Sequence, residues 1–284
     1  MKIKANAKVN LSLDITGKRP DGYHTLRSVF QSVSLSDILT VSLSDSVSVG
    51  CSVPSLCGED NLCFKAAKLF FEATDIKSGA DIFIEKHIPE AAGLGGGSAD
   101  AAATLVALNE LCNRPLSENE LLEIALKLGA DVPFCVVGGT KLCEGIGEIM
   151  TDMPSLPDCF IVIAKKGKKG STGQMYNALD NNQNLRHPDT KTVINGLEKG
   201  ELREIFKGAY NCFESVNDPS VLNEVRTVAE NHGAVYTGLS GAGPSVVAVF
   251  EQKASAENTA EILTARGFEA FVATPCKHGV EIIE

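Results

Sequence analysis

The chain opens with a strict alternation of apolar and polar residues. Every second position from Ile3 to Ile15 is apolar, and the positions between them are polar and include Lys8 and Asn10. A period of two predicts a β-strand with one buried face and one polar face. Lys8 and Asn10 are expected to share the polar face, where side chains of this kind are ordinarily solvated.

Similar patterns predict short strands and helices along the rest of the chain. Strands are expected within residues 30–53, 80–86, 159–164, 246–250, 268–274 and 279–283. Helices are expected over residues 62–73, 117–129, 219–232 and 254–266. The Ser117-Glu-Asn-Glu120 capping box and Gly129 mark the two ends of the second of these helices. A change of character at Met153–Pro157 predicts two α+β domains, residues 1–154 and 155–284, with the last strand completing the second domain.

A glycine-rich segment, Pro89-Glu-Ala-Ala-Gly-Leu-Gly-Gly-Gly-Ser-Ala99, runs directly into an alanine-rich helix. Its four glycines lack Cβ atoms, so the backbone can approach a ligand closely. The first N–H groups of the helix are unpaired and lie at the positive end of the helix dipole. The combination predicts an anion site, most simply a phosphate site. Ser98 is placed to cap the helix or to contact a phosphate, and Asp100 is expected in the first turn.

This segment differs from two commoner phosphate-binding loops. A P-loop ends in Gly-Lys-Ser/Thr, whereas Gly97 is followed by Ser98 and Ala99. The dinucleotide-binding fingerprint requires a third glycine or alanine where this chain has Ser98 or Asp100, which disfavours a dinucleotide oxidoreductase. The other interpretation of the segment is a flexible linker in front of a buried helix.

Two further segments carry candidate chemistry. Tyr23 and His24 follow the tight turn Gly17–Gly22. An aromatic ring beside an imidazole can bind a flat polar ring; the alternative is that Tyr23 packs and His24 caps a loop. Asp131 is a lone carboxylate in an apolar stretch, two residues before Pro133, so it lies at an element boundary. It is either an ordinary N-cap or an active-site group.

Three stretches in order resemble the motifs of the GHMP kinases, a family that includes galactokinase and the homoserine, mevalonate and phosphomevalonate kinases. They are the N-terminal strand with Lys8, the Pro89-x-x-x-Gly-Leu-Gly-Gly-Gly-Ser-Ala segment, and Thr237-Gly-Leu-Ser-Gly-Ala-Gly-Pro-Ser245. The resemblance covers nearly the whole chain. It implies an α+β fold of two domains, the first like domain 2 of ribosomal protein S5 and the second ferredoxin-like, with the active site in the cleft between them.

The resemblance also implies ATP and Mg²⁺ as cofactors and assigns roles to residues. Gly129-Ala-Asp-Val-Pro-Phe134 matches the segment that carries the family's catalytic aspartate, so Asp131 is the expected general base and Lys8 its catalytic partner. The residues expected to bind the nucleotide are Pro89, Gly93, Leu94, Gly95, Gly96, Gly97, Ser98 and Ala99, with Asn61 and Lys86 close by. Without the resemblance, Asn61 is a plain helix cap and Lys86 a surface lysine.

The Asp-Gly-Tyr-His24 sequence narrows the expected substrate. It is similar to a motif of those GHMP kinases that phosphorylate the 2-hydroxyl of a cytidine diphosphate-linked methylerythritol in the non-mevalonate isoprenoid pathway. This implies that Asn10 contacts the substrate, that Tyr23 and His24 hold the cytosine, and that Tyr176 closes over it. The alternatives are another small-molecule GHMP kinase, of homoserine or mevalonate type, and a non-catalytic nucleotide sensor on the same fold.

The basic segment Lys165–Thr172 precedes Tyr176 and has two interpretations. It contains four lysines and two glycines where members of the family often carry prolines. It is either a solvated turn or a loop that faces the substrate's phosphates.

Composition restricts the partners that the chain can be expected to bind. The formal net charge of −10 over 284 residues argues against nucleic acid and against an anionic membrane. No apolar run is long enough to span a bilayer, and Met1-Lys-Ile-Lys4 does not resemble a signal peptide. The nine scattered cysteines are expected to be free thiols in a reducing cytosol. A small-molecule substrate is therefore expected, and the oligomeric state stays open.

Overall fold

The structure, a computed structural model, describes residues 1–167 and 172–284, which form two β-sheets with helices packed against them. The strands are β1 (Lys2–Lys18), β2 (His24–Ser44), β3 (Ser48–Cys51), β4 (Gly79–Glu85), β5 (Thr140–Gly145), β6 (Ile149–Asp152), β7 (Phe160–Lys165), β8 (Tyr236–Leu239), β9 (Val246–Phe250), β10 (Glu269–Ala273), β11 (Pro275–Cys276) and β12 (Val280–Ile282). The α-helices are α1 (Leu62–Thr74), α2 (Gly96–Leu111), α3 (Glu118–Leu128), α4 (Val132–Val137), α5 (Thr172–Asp180), α6 (Thr190–Lys199), α7 (Leu202–Lys207), α8 (Pro219–Asn231) and α9 (Lys253–Ala265).

The first sheet has the order β12-β1-β2-β4-β3, with β5 and β11 also pairing with β2 and β6 pairing with β5. β1 and β2 form a long antiparallel hairpin that runs from the Lys2–Thr40 pair to the Lys18–His24 pair. β2 is long enough to pair with β5 near its start and with β4 near its end. α2 packs against both strands of the hairpin. The glycine-rich segment therefore connects β4 to α2 at one end of this sheet.

The middle of β1, from Ala5 to Leu13, is buried on both faces, so the prediction that its polar face is solvated was wrong there. The polar residues Asn6, Lys8, Asn10 and Ser12 are as inaccessible to solvent as the apolar residues between them. C-terminal parts of the chain cover this polar face: Asn6 Nδ2 donates to the carbonyl of His278, and Asn10 Oδ1 accepts the N–H of Gly241. An alternating pattern identifies the two faces of a strand but does not reveal a second layer over the polar one.

The second sheet is antiparallel, with the order β10-β7-β9-β8, and α8 and α9 pack on it. Its core includes Val225 of α8, Ala248 and Phe250 of β9, and Leu263 of α9. The predicted α+β character of the C-terminal half is confirmed.

The last strand was predicted to complete this second unit, and that prediction was wrong. β12 pairs with β1 in the first sheet, with Ile282 opposite Ile3 and Val280 opposite Ala5. The other side of β1 is already paired with β2, so the returning chain satisfies the backbone groups of an otherwise open sheet edge. The chain leaves the first sheet after Asp152 and enters the second at Phe160. A boundary between residues 154 and 155 stays a prediction.

The ends of α1 and α3 follow the predicted sequence signals. The Asn61 side chain accepts the N–H of Cys63 and caps α1. Ser117 and Glu120 form the reciprocal capping box at the start of α3, and Gly129 follows its last residue. No helix in the part of the chain that the structure describes is both long and apolar enough to cross a membrane.

Candidate active site

Two cavities meet at the glycine-rich segment. The smaller, of about 540 Å³, has a wall made largely of residues 89–98, and we refer to it as the loop cavity. The larger, of about 720 Å³, also contacts β1, β2 and α5, and we refer to it as the cleft cavity. Gly93, Gly95 and Ser98 line both. A ligand in one cavity can therefore reach a ligand in the other across this segment.

The backbone of the glycine-rich segment requires its glycines. Gly93 has φ +79° and Gly95 has φ +70°, in the left-handed region that other residues rarely adopt. Gly95 is the N-cap of α2, so the helix starts three residues earlier than a Ser98 cap requires. Of the two roles predicted for Ser98, the helix cap is not observed: Ser98 lies within the first turn and lines both cavities, and a phosphate contact stays a prediction. The first N–H groups of α2 lie at the positive end of the helix dipole, and anion binding there stays a prediction.

Most of the predicted nucleotide residues line the loop cavity. They are Asn61, Lys86, Pro89, Gly93, Leu94, Gly95, Gly96, Gly97 and Ser98. Ala99 does not line it, because its side chain is fully buried and its N–H donates to the carbonyl of Gly95 inside the helix. Asn61 both caps α1 and lines this cavity, so its two proposed roles are compatible.

Lys86 is not a surface lysine. Its side chain is 7% exposed, and its Nζ donates to Asp37 Oδ2 at 2.5 Å and to Asp100 Oδ2 at 2.7 Å. We refer to these three residues as the Lys86 cluster. Burial acts to lower the pKa of Lys86, but the charges of Asp100 and Asp37 outweigh it and leave this pKa raised. Asp100 was predicted to lie in the first turn of α2, but it is the fifth residue of the helix and lies just beyond that turn. It pairs with Lys86.

Asp37 was missed by the sequence analysis. It lies in β2 in phase with Leu39 and Val41, which are fully buried, and its own side chain has no exposed surface. The sequence did offer one indication of a buried carboxylate, namely an aspartate at a strand position whose alternating neighbours are apolar. Its partners lie far away in the sequence, and no local pattern identifies them.

Lys8 and Asp131 meet in the wall of the cleft cavity. Lys8 Nζ lies 3.4 Å from Asp131 Oδ2, donates to Asn10 Oδ1 at 3.2 Å, and lies 4.3 Å from the centre of the Phe30 ring. Asp131 precedes α4, but its side chain makes no capping hydrogen bond. It therefore faces the cavity as a carboxylate beside a buried ammonium group, which is an arrangement suited to general-base chemistry.

Asn10 was predicted to contact the substrate, and the structure does not bring it to the cavity wall. Its Nδ2 donates to Ser28 Oγ at 2.9 Å, and its Oδ1 accepts the N–H of Gly241 at 2.8 Å in addition to Lys8 Nζ. It lies behind Lys8 and connects β1 to the turn that follows β8. This geometry fixes the position of Lys8.

The rings of Tyr23, His24 and Tyr176 line the cleft cavity together with the Lys8–Asp131 pair. Tyr23 is 61% exposed, so it does not pack into the core. The rings of His24 and Tyr176 are stacked, with centroids 4.7 Å apart and an interplanar angle of 22°. Tyr176 also packs against Phe213 in an edge-to-face arrangement, with ring centroids 5.1 Å apart. The structure thus brings the predicted base-binding residues Tyr23, His24 and Tyr176 to one surface.

Asp180, the last residue of α5, holds His24 in place, and the sequence pattern did not identify it. Its Oδ1 lies 2.6 Å from Nε2 of His24, and its Oδ2 accepts from Lys18 Nζ at 2.5 Å. Hydrogen bonds from Lys18 and His24 lower the pKa of the Asp180 carboxyl. His24 is therefore oriented by a side chain from the second half of the chain.

Part of the basic segment lies outside the described residues, namely positions 168–171. In the part that is described, Lys165 Nζ pairs with Glu269 Oε1 at 3.0 Å, and Lys166 Nζ pairs with Glu224 Oε2 at 3.2 Å. These two lysines are thus engaged by carboxylates of the second half of the chain.

The turn after β8 contacts the glycine-rich segment directly. Ser240 Oγ donates to the carbonyl of Gly93 at 3.0 Å, and the N–H of Ser245 donates to the carbonyl of Ala92 at 3.3 Å. A Cβ atom on Gly93 would lie 2.3 Å from the carbonyl oxygen of Ser240. The close backbone approach fixes the edge that the two cavities share.

Comparison with known families matches both halves of the chain. The model described as the GHMP kinases N terminal domain matches residues 61–139. The model described as GHMP kinases C terminal matches residues 193–269.

Curated relatives match the chain over nearly its full length. A 4-diphosphocytidyl-2-C-methyl-D-erythritol kinase of Caldicellulosiruptor saccharolyticus is 42% identical, over 98% of this chain and 98% of the relative. A protein of the same name from Clostridium botulinum strain Eklund 17B is 40% identical, over 96% of this chain and 99% of the relative.

Solved structures give the same result for the fold. A crystal structure of 4-(cytidine 5'-diphospho)-2C-methyl-D-erythritol kinase superposes with a TM-score of 0.82 at 33% identity, and covers 97% of this chain and 99% of that one. Homoserine kinase from Cytophaga hutchinsonii superposes with a TM-score of 0.79 at 19% identity, which shows a shared fold only. The predicted two-domain α+β architecture is confirmed.

Proposed function

The chain belongs to the GHMP kinase family, and from this premise we propose that it phosphorylates the 2-hydroxyl of 4-diphosphocytidyl-2-C-methyl-D-erythritol, with ATP as donor, in the non-mevalonate isoprenoid pathway. The observation that carries the proposal is one cavity wall that combines the Lys8–Asp131 pair with Tyr23, His24 and Tyr176. Relatives of about 40% identity over nearly the full length bear the name of this kinase.

In this proposal Asp131 accepts the proton of the substrate hydroxyl as the bond to phosphorus forms. An alcohol is a poor nucleophile at neutral pH, and a carboxylate within hydrogen-bond reach overcomes this. Lys8, 3.4 Å from Asp131, orients the carboxylate and offsets the negative charge on the transferred phosphoryl group. Asn10 acts through Lys8, since it accepts a hydrogen bond from Lys8 Nζ.

The loop cavity is the proposed site of ATP. The N–H groups at the start of α2 and the close backbone of Gly93–Gly97 suit the β- and γ-phosphates. Because Gly93, Gly95 and Ser98 also line the cleft cavity, a γ-phosphate bound there faces the acceptor hydroxyl. Positioning of the two reactants then supplies much of the rate enhancement.

The cleft cavity is the proposed site of the cytidylyl substrate. Tyr23 is exposed and offers an aromatic face on which the cytosine can stack, and His24 offers a ring nitrogen for hydrogen bonding. One face of Tyr176 is stacked on His24, so Tyr176 closes over the cytosine in this proposal only if that stack opens. Homoserine and mevalonate are small aliphatic acids that need no aromatic surface of this kind. The aromatic lining therefore favours the cytidylyl substrate over those of other GHMP kinases.

Mg²⁺ is proposed to enter with ATP. The described residues contain no group of three or more His, Cys, Asp or Glu side chains placed to hold a metal ion. Mg²⁺ usually keeps several waters and binds through substrate phosphates and one or two carboxylates, so it does not require such a group. Asp131 is the carboxylate beside Lys8 in the cavity wall. When bound, the ion neutralises charge on the β- and γ-phosphates.

We also propose a cytosolic location and no nucleic-acid or membrane partner. The nine cysteines all lie within the described residues and form no disulfides, as expected in a reducing compartment. The net charge of −10 fits a small-molecule enzyme better than a polyanion-binding protein.

The decisive experiment measures ADP release from Mg·ATP with four acceptors: the cytidylyl substrate, methylerythritol phosphate without the cytidine, homoserine and mevalonate. Turnover with the cytidylyl compound alone is expected. The Asp131→Asn variant is expected to lower kcat by at least about 100-fold, the usual contribution of a general base, while leaving the Kd of ATP within about twofold.

Turnover with a small alcohol instead would contradict the substrate assignment but keep the kinase. ATP binding without turnover of any acceptor would favour the sensor alternative. Full activity of Asp131→Asn would remove Asp131 as the base.

A further inference from the structure

The Lys86 cluster connects three elements around the glycine-rich segment. Asp37 belongs to β2, Lys86 follows β4, and Asp100 belongs to α2. Asp37 Oδ1 also accepts the backbone N–H groups of His87 and Ile88, at 2.5 and 2.8 Å. These residues begin the chain's path into the glycine-rich segment, so one carboxylate fixes its entry.

The other end of the segment is fixed by Asp100 through Lys86. The ammonium group of Lys86 lies next to the first residue of α2, because a Cβ atom on Gly96 would be 3.4 Å from Lys86 Nζ. A positive charge at a helix N-terminus is unfavourable, and the two carboxylates compensate for it. Lys86 and Asp100 also line the loop cavity, so the cluster borders the ligand.

A charge count limits the protonation state of this cluster. Two ionised carboxylates and one ammonium would leave one uncompensated negative charge away from water, which is unfavourable because a buried charge loses its hydration. A proton on one carboxylate brings the sum to zero.

Asp100 is the carboxylate placed to hold that proton. Its Oδ1 is buried and has no hydrogen-bond partner in the part of the chain that the structure describes. By contrast, both oxygens of Asp37 accept hydrogen bonds. Burial raises the pKa of Asp100 to about 8; the charge of Lys86 opposes this and that of Asp37 adds to it.

We propose that the Lys86 cluster positions the phosphate-binding segment as a unit of zero net charge, with a proton held on Asp100, and that loss of this proton weakens nucleotide binding. The proposal rests on the proposed function, because it assigns ATP to the loop cavity. When Asp100 gives its proton to solvent, one negative charge remains near the N-terminus of α2. That charge repels the phosphates and opposes the attraction of the helix N–H groups.

Other titratable groups that face Asp100 come from several elements. Besides Lys86 and Asp37, they are the thiols of Cys51 on β3, Cys63 on α1 and Cys135 on α4. Burial raises the pKa of all three thiols above their usual value of 9.0, so they stay protonated where Asp100 ionises. Lys8 on β1 contacts Gly95 and faces the cleft cavity.

The test is calorimetric titration of the full-length protein with Mg·ATP between pH 7 and pH 9. A group with a pKa of about 8, whose ionised form does not bind, raises the Kd about tenfold over this range. Wild type is expected to show this rise. Asp100→Asn keeps the shape of the protonated side chain and cannot ionise. The Kd of this variant for Mg·ATP is therefore expected to stay within about twofold of the variant's own pH 7 value over the whole range.

Two further variants make the test specific. Asp81→Asn makes the same chemical change at an exposed position on β4, and its pH profile is expected to match wild type. Asp37→Asn leaves one carboxylate opposite one ammonium, so its profile is expected to be flat. Its affinity is expected to be lower at every pH, because the amide group fits poorly between Lys86 and two backbone N–H donors.

A pH-dependent rise that persists in Asp100→Asn would overturn the proposal, as would a flat wild-type profile. Either result, with ATP binding and turnover intact, would leave the kinase proposal standing. Absence of ATP binding in wild type at every pH would instead contradict the kinase proposal itself.

Discussion

Gly93→Ala tests whether the contact between the glycine-rich segment and the turn after β8 holds the site together. Gly93 has φ +79°, and left-handed backbone costs a residue with a Cβ atom roughly 1–2 kcal/mol. The new Cβ would also lie 2.3 Å from the carbonyl oxygen of Ser240 and 3.1 Å from that of Gly243. Both are backbone atoms, so the segment must move, at about 1–3 kcal/mol for overpacking.

Together these effects predict a loss of about 2–5 kcal/mol in the free energy of unfolding. The entropy of unfolding for a chain of this length is about 0.6 kcal/mol per kelvin, so the loss corresponds to a Tm lower by about 3–8 °C. Thermal unfolding measured by calorimetry reports this directly. The KM for ATP is expected to rise in the same variant, because the displaced backbone forms the edge of the loop cavity.

Gly97→Ala is the matched control within the same segment. Its Cβ would lie 3.7 Å from Leu62 Cδ1, an ordinary contact, and the position is the second residue of α2. Alanine is favoured over glycine in a helix by about 0.5–1 kcal/mol, so the Tm is expected to hold or to rise by about 1 °C. Equal Tm values for the two variants would refute the argument from backbone contact.

Two further predictions concern the aromatic end of the cleft cavity. Tyr23→Ala is expected to raise the KM for the cytidylyl substrate about 10–100-fold through loss of stacking, while the KM for ATP stays within about twofold. Tyr23→Phe keeps the ring, so both of its KM values are expected to be near wild type. Equal changes in the two KM values of Tyr23→Ala would argue against stacking. Asp180→Asn is expected to raise the KM for the cytidylyl substrate about fivefold, because His24 loses a charge-assisted hydrogen bond. The KM of the double variant Asp180→Asn/His24→Ala is expected to rise by less than the product of the two single-variant effects, because Asp180 acts through His24. Full additivity would mean that Asp180 acts independently of His24.

Local patterns were sufficient where the chemistry depends on neighbouring residues. The glycines of residues 93–97, the helix behind them and the Asp131 segment could be read directly, because each is a short run with its own backbone requirement. The capping box at Ser117 is of the same kind. Periodicity also located most strands and helices, since each buries a face of regular spacing.

Long-range pairing could not be read in this way. Lys86, Asp37 and Asp100 meet only because β2, β4 and α2 converge, and each residue alone has an ordinary interpretation. The sequence of β1 is equally compatible with a solvated polar face, whereas the turn at Gly241 covers that face in the fold. β12 carries no signal for which sheet it joins, because edge pairing depends on an open edge elsewhere in the molecule.

The pairing of β12 with β1 also sets an order of events during synthesis. β1, which carries Lys8, is translated before the other described strands, and β12 is the last of them to leave the ribosome. At about 5–20 residues per second, the interval between them lasts on the order of 15–50 s. Throughout this time the strand that carries the lysine lacks one of its two neighbours. A nascent chain that stalls before residue 280 keeps an unpaired edge at β1, which chaperones and proteases can recognise. In the folded chain β12 covers this edge.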